Sequence, residues 1–309
     1  MSAFLKLRCL FVATVFLTAV ASFAASDDQA PSPYLYKDTG QLIAFVQRAA
    51  DYLAKNGESA FAEFSTPGSE WRKNDRYLFA YDANGVCVLD PVEPSFVGKD
   101  LSTLRDFRGQ PVVSRMLKLL ENPSPRDSGW FFFVWEDSHH SLPVWKGSYV
   151  RRVVCPDGKS YVLGSGLYRL KIEKAFIENA VNEAAELLSN KGKEALFAEL
   201  RNPFSHLHIL DTPLSVVGKN GEILVDPAFP NLAKDRNLQN YTDSTGKNFF
   251  TTITNALGTR DRAWSIRILP RSNNPRPARN LVFTRRIESG SETFYITASF
   301  VPAMPLWMR

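Results

Sequence analysis

The sequence predicts an α/β chain of the α+β kind in which one module is written twice. Two observations carry this. Motifs recur in the same order at an offset that drifts only between 135 and 137 residues. Each copy also patterns as a helix, two strands, a helical crossover and three strands. An antiparallel sheet with helices on one face accommodates that order. A chain of 309 residues is ample for two cores, and 44% hydrophobic with 22% charged residues is ordinary globular composition.

The repeat is read residue by residue. Ala49-Ala50 and Ala184-Ala185 open stretches that run through Gly57 and Gly192. Phe61-Ala62-Glu63-Phe64 is matched by Phe197-Ala198-Glu199-Leu200, and Pro67 by Pro203. Asn84-Gly85, Asp90-Pro91 and Pro94 are answered by Asn220-Gly221, Asp226-Pro227 and Pro230. Leu101, Asp106 and Gly109 return as Leu238, Asp243 and Gly246. Repetition of this kind marks a duplication.

The first helix is expected where Leu42, Val46, Ala49 and Leu53 fall at helical spacing, with Asp38 and Gln41 placed to cap it and Gly57 to stop it. The second follows the stripe Ile172, Phe176, Ala180, Ala184 and Leu188, ended by Gly192. Tyr77–Tyr81 and Val86–Asp90 are strands joined at Asn84-Gly85, a pair that tolerates the positive φ of a tight hairpin. A loop and amphipathic helix occupy Pro91–Leu120. Trp130–Trp135 is the third strand; Ser148–Val154 and Tyr161–Ser165 are the fourth and fifth, joined around Asp157-Gly158. The apolar stripes are read first as core.

Lys6 and Arg8 precede an apolar stretch, Leu10–Val20, and then Ser22-Phe23-Ala24. This is the layout of an export signal cleaved after Ala24; an uncleaved anchor is the competing reading, because Cys9–Ala25 could almost span a bilayer. The expected division is a signal peptide over 1–24, a linker over 25–37, modules over 38–170 and 171–303, and a tail over 304–309. Location is then periplasmic or secreted. Without the leader the balance is 35 basic against 32 acidic residues, or +3. No Lys/Arg run interleaved with aromatics stands out, so nucleic acid is not an expected partner. Cys9 sits in the leader. Cys87 and Cys155 fall in non-neighbouring strands and are expected as two buried thiols, although the compartment would allow a bridge.

In the first copy, "AADYLAKNGESAFAEFSTP", "RYLFAYDANGVCVLDP" and "FVGKDLSTLRDFRGQP" resemble the opening helix, first hairpin and crossover of the single Cache sensor domains, PAS-like extracytoplasmic modules of the second single-Cache type. "SGWFFFVW", "WKGSYVRRV" and "YVLGSGLY" resemble their last three strands. The likeness covers about 130 residues; the second copy keeps the helix, the hairpin and "DSTGKN" and diverges later. The resemblance implies five-stranded antiparallel sheets in the order 2-1-5-4-3, with a pocket between sheet and crossover. It also implies small ligands, often carboxylates or amino acids, and signalling to a cytoplasmic output. This sequence shows no such output, so the chain is expected to work through a partner, such as a membrane receptor or kinase, or simply to hold its ligand.

Lys146 and Tyr149 match the Lys and Tyr of the family's fourth-strand motif. Lys146 would pair with an anionic group and Tyr149 would donate a hydrogen bond, although a spacing of three puts them on opposite faces of a regular strand. Phe79 and Tyr81 on the first strand and Trp135 on the third would wall the pocket and exclude water. Phe133 stands where many members carry Tyr, and Asp90 where many carry His, a change that suits an amine. In the second copy Asn280 and Phe283 take the places of Lys146 and Tyr149; Arg279 is the candidate replacement cation.

Enzymatic patterns are thin. His139 and His140 diverge in a strand, and His206 and His208 have only Asp211 as a nearby acid. Gly164-Ser165-Gly166 lacks the outer glycines of a nucleophile elbow, and Gly158-Lys159-Ser160 lacks the first glycine of a P-loop. No cofactor, metal or catalytic group is assigned. The reading is an exported sensor that binds a small polar metabolite (organic acid, amino acid or amine) in its first module and signals through a partner. A ligand-free docking module and, less favoured, a hydrolase are the alternatives.

Overall fold

The stripe of Leu42, Val46, Ala49 and Leu53 folds as α1 (Lys37–Asn56) in the computed structural model of the chain. The structure describes residues 34–302 apart from 74, 119–120, 122–125, 138–141, 228–236 and 272–273. The leader with Cys9, most of the linker, His139, His140, Pro230 and the C-terminal tail lie outside the described residues. Asp38 and Gln41 do not cap α1. The helix starts after Tyr36, and the N–H groups of Leu35 and Tyr36 donate to the buried Glu173 carboxylate at 2.7 and 2.9 Å. A carboxylate 137 residues away in the chain thus anchors the segment that leads into the helix, which has no side-chain cap of its own. Asp38 instead lies in the first turn, where the helix dipole favours an acid.

A short helix α2 (Ala60–Ser65) follows, then β1 (Phe79–Asp82) and β2 (Cys87–Leu89), the crossover helix α3 (Val113–Leu117), and β3 (Ser128–Trp135), β4 (Val144–Val154) and β5 (Ser160–Tyr168). The second copy repeats this as α4 (Lys174–Arg201), β6 (Leu214–Gly218), β7 (Ile223–Val225), α5 (Phe249–Leu257), β8 (Arg262–Arg271), β9 (Asn274–Ser289) and β10 (Glu292–Phe300). Gly192, at φ 83°, breaks α4 where Gly57 ends α1. The sheet orders are β2-β1-β5-β4-β3 and β7-β6-β10-β9-β8, all antiparallel, as the resemblance implies. The late strands of the second copy diverge in sequence and keep the topology.

Three expectations need correction. β4 starts four residues before Ser148 and β5 runs three past Ser165, because each is held along its length by a neighbour: Trp135 pairs with Val144, and Tyr168 with Lys146. The helices do not share one face. α1 covers one side of the first sheet with Ala80, Leu89, Val153 and Leu163, whereas Val113 and Met116 of the crossover meet Tyr81, Phe133, Val150 and Val162 on the other. Alternation along each strand makes both faces apolar, so both require cover. Finally, Cys155 lies just past β4, not within a strand; it and Cys87 are buried free thiols.

The hairpin turns show why the repeat persists. Gly85 and Gly221 both adopt φ 86°, and a Cβ on Gly85 would lie 2.9 Å from the Ser102 Cβ. Asp106 and Asp243 form a second shared device. Asp106 Oδ1 accepts the N–H groups of Arg108 and Gln110 at 2.9 and 2.8 Å, while Oδ2 accepts that of Val134 at 2.9 Å. Asp243 Oδ1 accepts the N–H groups of Thr245 and Lys247 and the Thr245 hydroxyl; Oδ2 accepts the N–H of Ile268 at 3.0 Å. One buried carboxylate thus closes the crossover loop and ties it to the edge strand.

The modules share a core. Phe132 and Leu170 join Phe176 and Ile177 of α4 in the cluster that also holds Val216, Phe283 and Ile296 of the second sheet. Trp130 packs its ring at a tilt against Phe176, with centroids 4.8 Å apart. Arg108 donates to the Pro203 carbonyl at 2.6 Å, and Gln110 to that of Ser205 at 3.3 Å.

Candidate functional site

Between the first sheet and its crossover lies a cavity of about 1040 Å³. Phe79 and Tyr81 from β1, Phe133 and Trp135 from β3, and Lys146 from β4 form its sheet side; Leu104, Val112 and Met116 close the other. Four of the five expected site residues, Phe79, Tyr81, Trp135 and Lys146, therefore border one space. Tyr149 does not. β4 pairs in regular register with both neighbours, so no bulge brings positions 146 and 149 to one face. Tyr149 meets Trp130 in a tilted ring contact at 5.4 Å on the side covered by α1.

The hydroxyls beside Lys146 come instead from Tyr77 and Tyr168. Lys146 is 3% exposed and donates from Nζ to the Tyr77 hydroxyl at 2.6 Å. Its ammonium lies 4.8 and 5.0 Å from the centroids of the Tyr77 and Tyr168 rings. No carboxylate among the described residues lies within ion-pair distance of it. Burial holds its pKa below the ordinary lysine value, with the Tyr168 and Asp90 fields opposing. The sequence did signal both tyrosines: Tyr77 continues the alternation 77, 79, 81, and Tyr168 faces Lys146 once β5 is drawn to its true end.

The border also carries acids. Asp75, Asp90, Glu93, Glu136 and Asp137 line it against Lys146 and Arg169. Asp90 Oδ1 accepts the N–H groups of Val92 and Glu93 at 3.0 and 2.9 Å, which leaves Oδ2 toward other partners. Arg169, at φ 55°, turns the chain out of β5 at this border. The cavity therefore combines one buried cation with several carboxylates along a largely apolar border.

Gly166 makes room for Lys146. A Cβ there would lie 2.4 Å from Ser148 Oγ and 2.7 Å from Lys146 Cε, with the Gly147 carbonyl at 3.2 Å. Gly166→Ala is expected to displace the lysine and cost about 1–3 kcal/mol of stability, read from urea unfolding. An unchanged midpoint would show that the lysine stem yields freely. Within the same Gly-Ser-Gly, the Ser165 hydroxyl donates to the Tyr77 carbonyl at 2.5 Å, a structural bond that fixes the strand leading into the site.

The remaining motifs are placed elsewhere. Gly158-Lys159-Ser160 is the β4–β5 turn, where Lys159 meets Glu58 at 2.6 Å. His206 faces Glu199 at 3.3 Å and Glu183 at 3.7 Å, whereas His208 turns to the Leu200 carbonyl at 3.0 Å. Among the described residues no three His, Cys, Asp or Glu groups converge as metal ligands.

Residues 35–196 match the dCache_2 family model, described as a Cache domain, which is more than half of the chain. The chain belongs to the Cache domain family. Among solved structures, its Cache modules are similar to a Cache chemosensory domain described for carboxylic acid recognition, at 27% identity and TM-score 0.35, over 43% of this chain and 94% of that one. A methyl-accepting chemotaxis protein from Vibrio parahaemolyticus RIMD 2210633 is 24% identical with TM-score 0.34, over 42% of this chain and 88% of its own. A chemoreceptor ligand-binding domain from Pseudomonas fluorescens in complex with L-alanine is 14% identical with TM-score 0.28, over 87% and 90%. No curated protein matches the Cache chain.

Proposed function

We propose that the protein is a non-enzymatic extracytoplasmic sensor whose first Cache module binds a small zwitterion of the amino-acid kind. The observation that carries this is the buried Lys146 ammonium, flanked by Tyr77 and Tyr168, with no counter-ion within ion-pair distance among the described residues, in a cavity whose border also carries several carboxylates. A ligand carboxylate on Lys146 would supply the missing charge, and its ammonium would answer Asp90 and its acidic neighbours. A simple acid would meet the same carboxylates unfavourably, because charge juxtaposition sets specificity. Phe79, Tyr81, Phe133 and Trp135 would exclude water around both groups. Tyr77 and Tyr168 take the hydrogen-bonding role first expected of Tyr149.

Export to the periplasm or beyond fits a metabolite sensor, and signalling through a membrane receptor or kinase completes the reading. No helix among the described residues is long and apolar enough to cross a membrane. Thermal unfolding with L-alanine, acetate or ethylamine separates the ligand classes. At 100 times its dissociation constant a bound ligand stabilises the fold by about 2.7 kcal/mol. The zwitterion is expected to give the largest shift and to lose it in Lys146→Gln. An equal shift from acetate alone would replace the zwitterion with a plain acid. No shift from an amino-acid panel, joined with capture of a receptor, would favour docking.

A further inference from the structure

The two modules use the same register behind their crossovers. Asp106 holds the N–H of Val134 and Asp243 holds that of Ile268, which makes Phe133 and Arg267 equivalent positions. Phe133 pairs across the sheet with Lys146, and Arg267 with Asn280. The cation of the first module has therefore moved one strand over in the second. Arg279, the replacement suggested by sequence, adjoins Asn280 on the opposite face of β9.

Arg267 is poorly satisfied. Its guanidinium carbon sits 4.5 Å from the centroid of the Phe249 ring on α5. Among the described residues the buried Nε and Nη2 find no hydrogen-bond partner, nor does the buried hydroxyl of Ser265, two residues along the same face of β8. Burial alone pushes the guanidinium down to about 10, with no carboxylate field to offset it. Buried donors of this kind are rarely left unmet. Nε and Nη2 form one edge of the planar guanidinium, the edge whose two N–H groups match the two oxygens of a carboxylate. The residue as a whole is only partly buried, while Nε and Nη2 are closed off in the empty structure, so an anion must part the side chains over them to enter.

We propose that the second module holds its own anion site, in which the Nε and Nη2 edge of Arg267 takes a small carboxylate with the Ser265 hydroxyl as a third donor. The site is separate from the cavity of the first module and stands whether or not that cavity binds a zwitterion. The chain is thereby a receptor with two inputs, and the second recognises acids without needing an amine.

The test uses the whole mature protein carrying Lys146→Gln, with acetate as the probe. The Arg267 Nε–H resonance, assigned by its loss in Arg267→Gln, is followed by NMR while calorimetry measures binding. A saturable shift of that resonance is expected, with acetate binding weakened about tenfold or more in Arg267→Gln. Ser265→Ala, a milder change should the arginine variant fold poorly, is expected to weaken binding severalfold. An Nε–H resonance that acetate leaves unmoved, or acetate affinity unchanged in both variants, would overturn the site and leave Arg267 as packing against Phe249.

Discussion

Lys146→Met is expected to stabilise the empty protein by roughly 1–2 kcal/mol and to abolish recognition of its ligand. The thioether chain would fill the space that the lysine stem occupies beside Gly166, and no unpaired ammonium would have to be desolvated. The sign of the pH dependence follows from the direction of the shift. Burial lowers the Lys146 pKa from the ordinary 10.5, so between the folded value and 10.5 the unfolded chain carries more protons. Wild-type stability should therefore rise with pH through that window, and the Met variant should lack the rise. Urea unfolding at a series of pH values on both proteins reads the difference. A Met variant that is less stable at every pH would mean that the Tyr77 and Tyr168 contacts outweigh desolvation. Within that same pH window, binding of a ligand carboxylate should also favour the ammonium and draw a proton onto the protein. Calorimetry in buffers of different ionisation enthalpy would register that uptake.

Asp106→Ala should be the costliest single substitution at the cavity. It strips three backbone N–H groups of their acceptor, two of them in the loop that carries Leu104, Phe107 and Val112 into the cavity wall. A loss of about 3 kcal/mol is expected, a large fraction of the stability of an ordinary domain. Asp106→Asn separates the two oxygens' roles: the amide keeps one acceptor for the loop and turns a donor toward Val134. It should retain part of the stability while releasing β3 from the crossover, which hydrogen exchange at Val134 would report. A fully stable Ala variant would show that water replaces the carboxylate at no net cost. In the second module the Asp243 carboxyl is held below the usual carboxylate range, chiefly by the Thr245 hydroxyl. Its contribution is present above the unfolded carboxylate range and fades as pH falls below it.

Much of this architecture was legible because the duplication prints each turn signal twice. Asn84-Gly85 and Asn220-Gly221 mark equal turns, and Asp106 and Asp243 mark equal loop closures, so coincidence is removed as an explanation. The site was less legible. Alternation put Phe79, Tyr81 and Trp135 on the cavity side, since strand faces follow directly from chain spacing. Tyr77, Tyr168 and Arg267 depend on where strands end and which residues sit opposite one another, and both are settled by pairing with distant segments. Tyr149 was drawn toward the cavity by its place in a family motif against its own spacing from Lys146, and the spacing proved the better guide. The N-terminus of α1 shows the same limit, because its lead-in residues are held by Glu173 across the fold.

The core that runs from Phe132 through Phe176 to Phe283 has a consequence for how the chain behaves as a machine. A receptor whose halves were joined by a flexible tether could melt in two steps and swing between two orientations. Here the first half cannot be severed near residue 170 without baring Trp130 and Phe132. Heating should accordingly give a single calorimetric peak, and a metabolite seated in one half should raise the melting of both. Information would pass as shared rigidity through α4 instead of as a hinge motion.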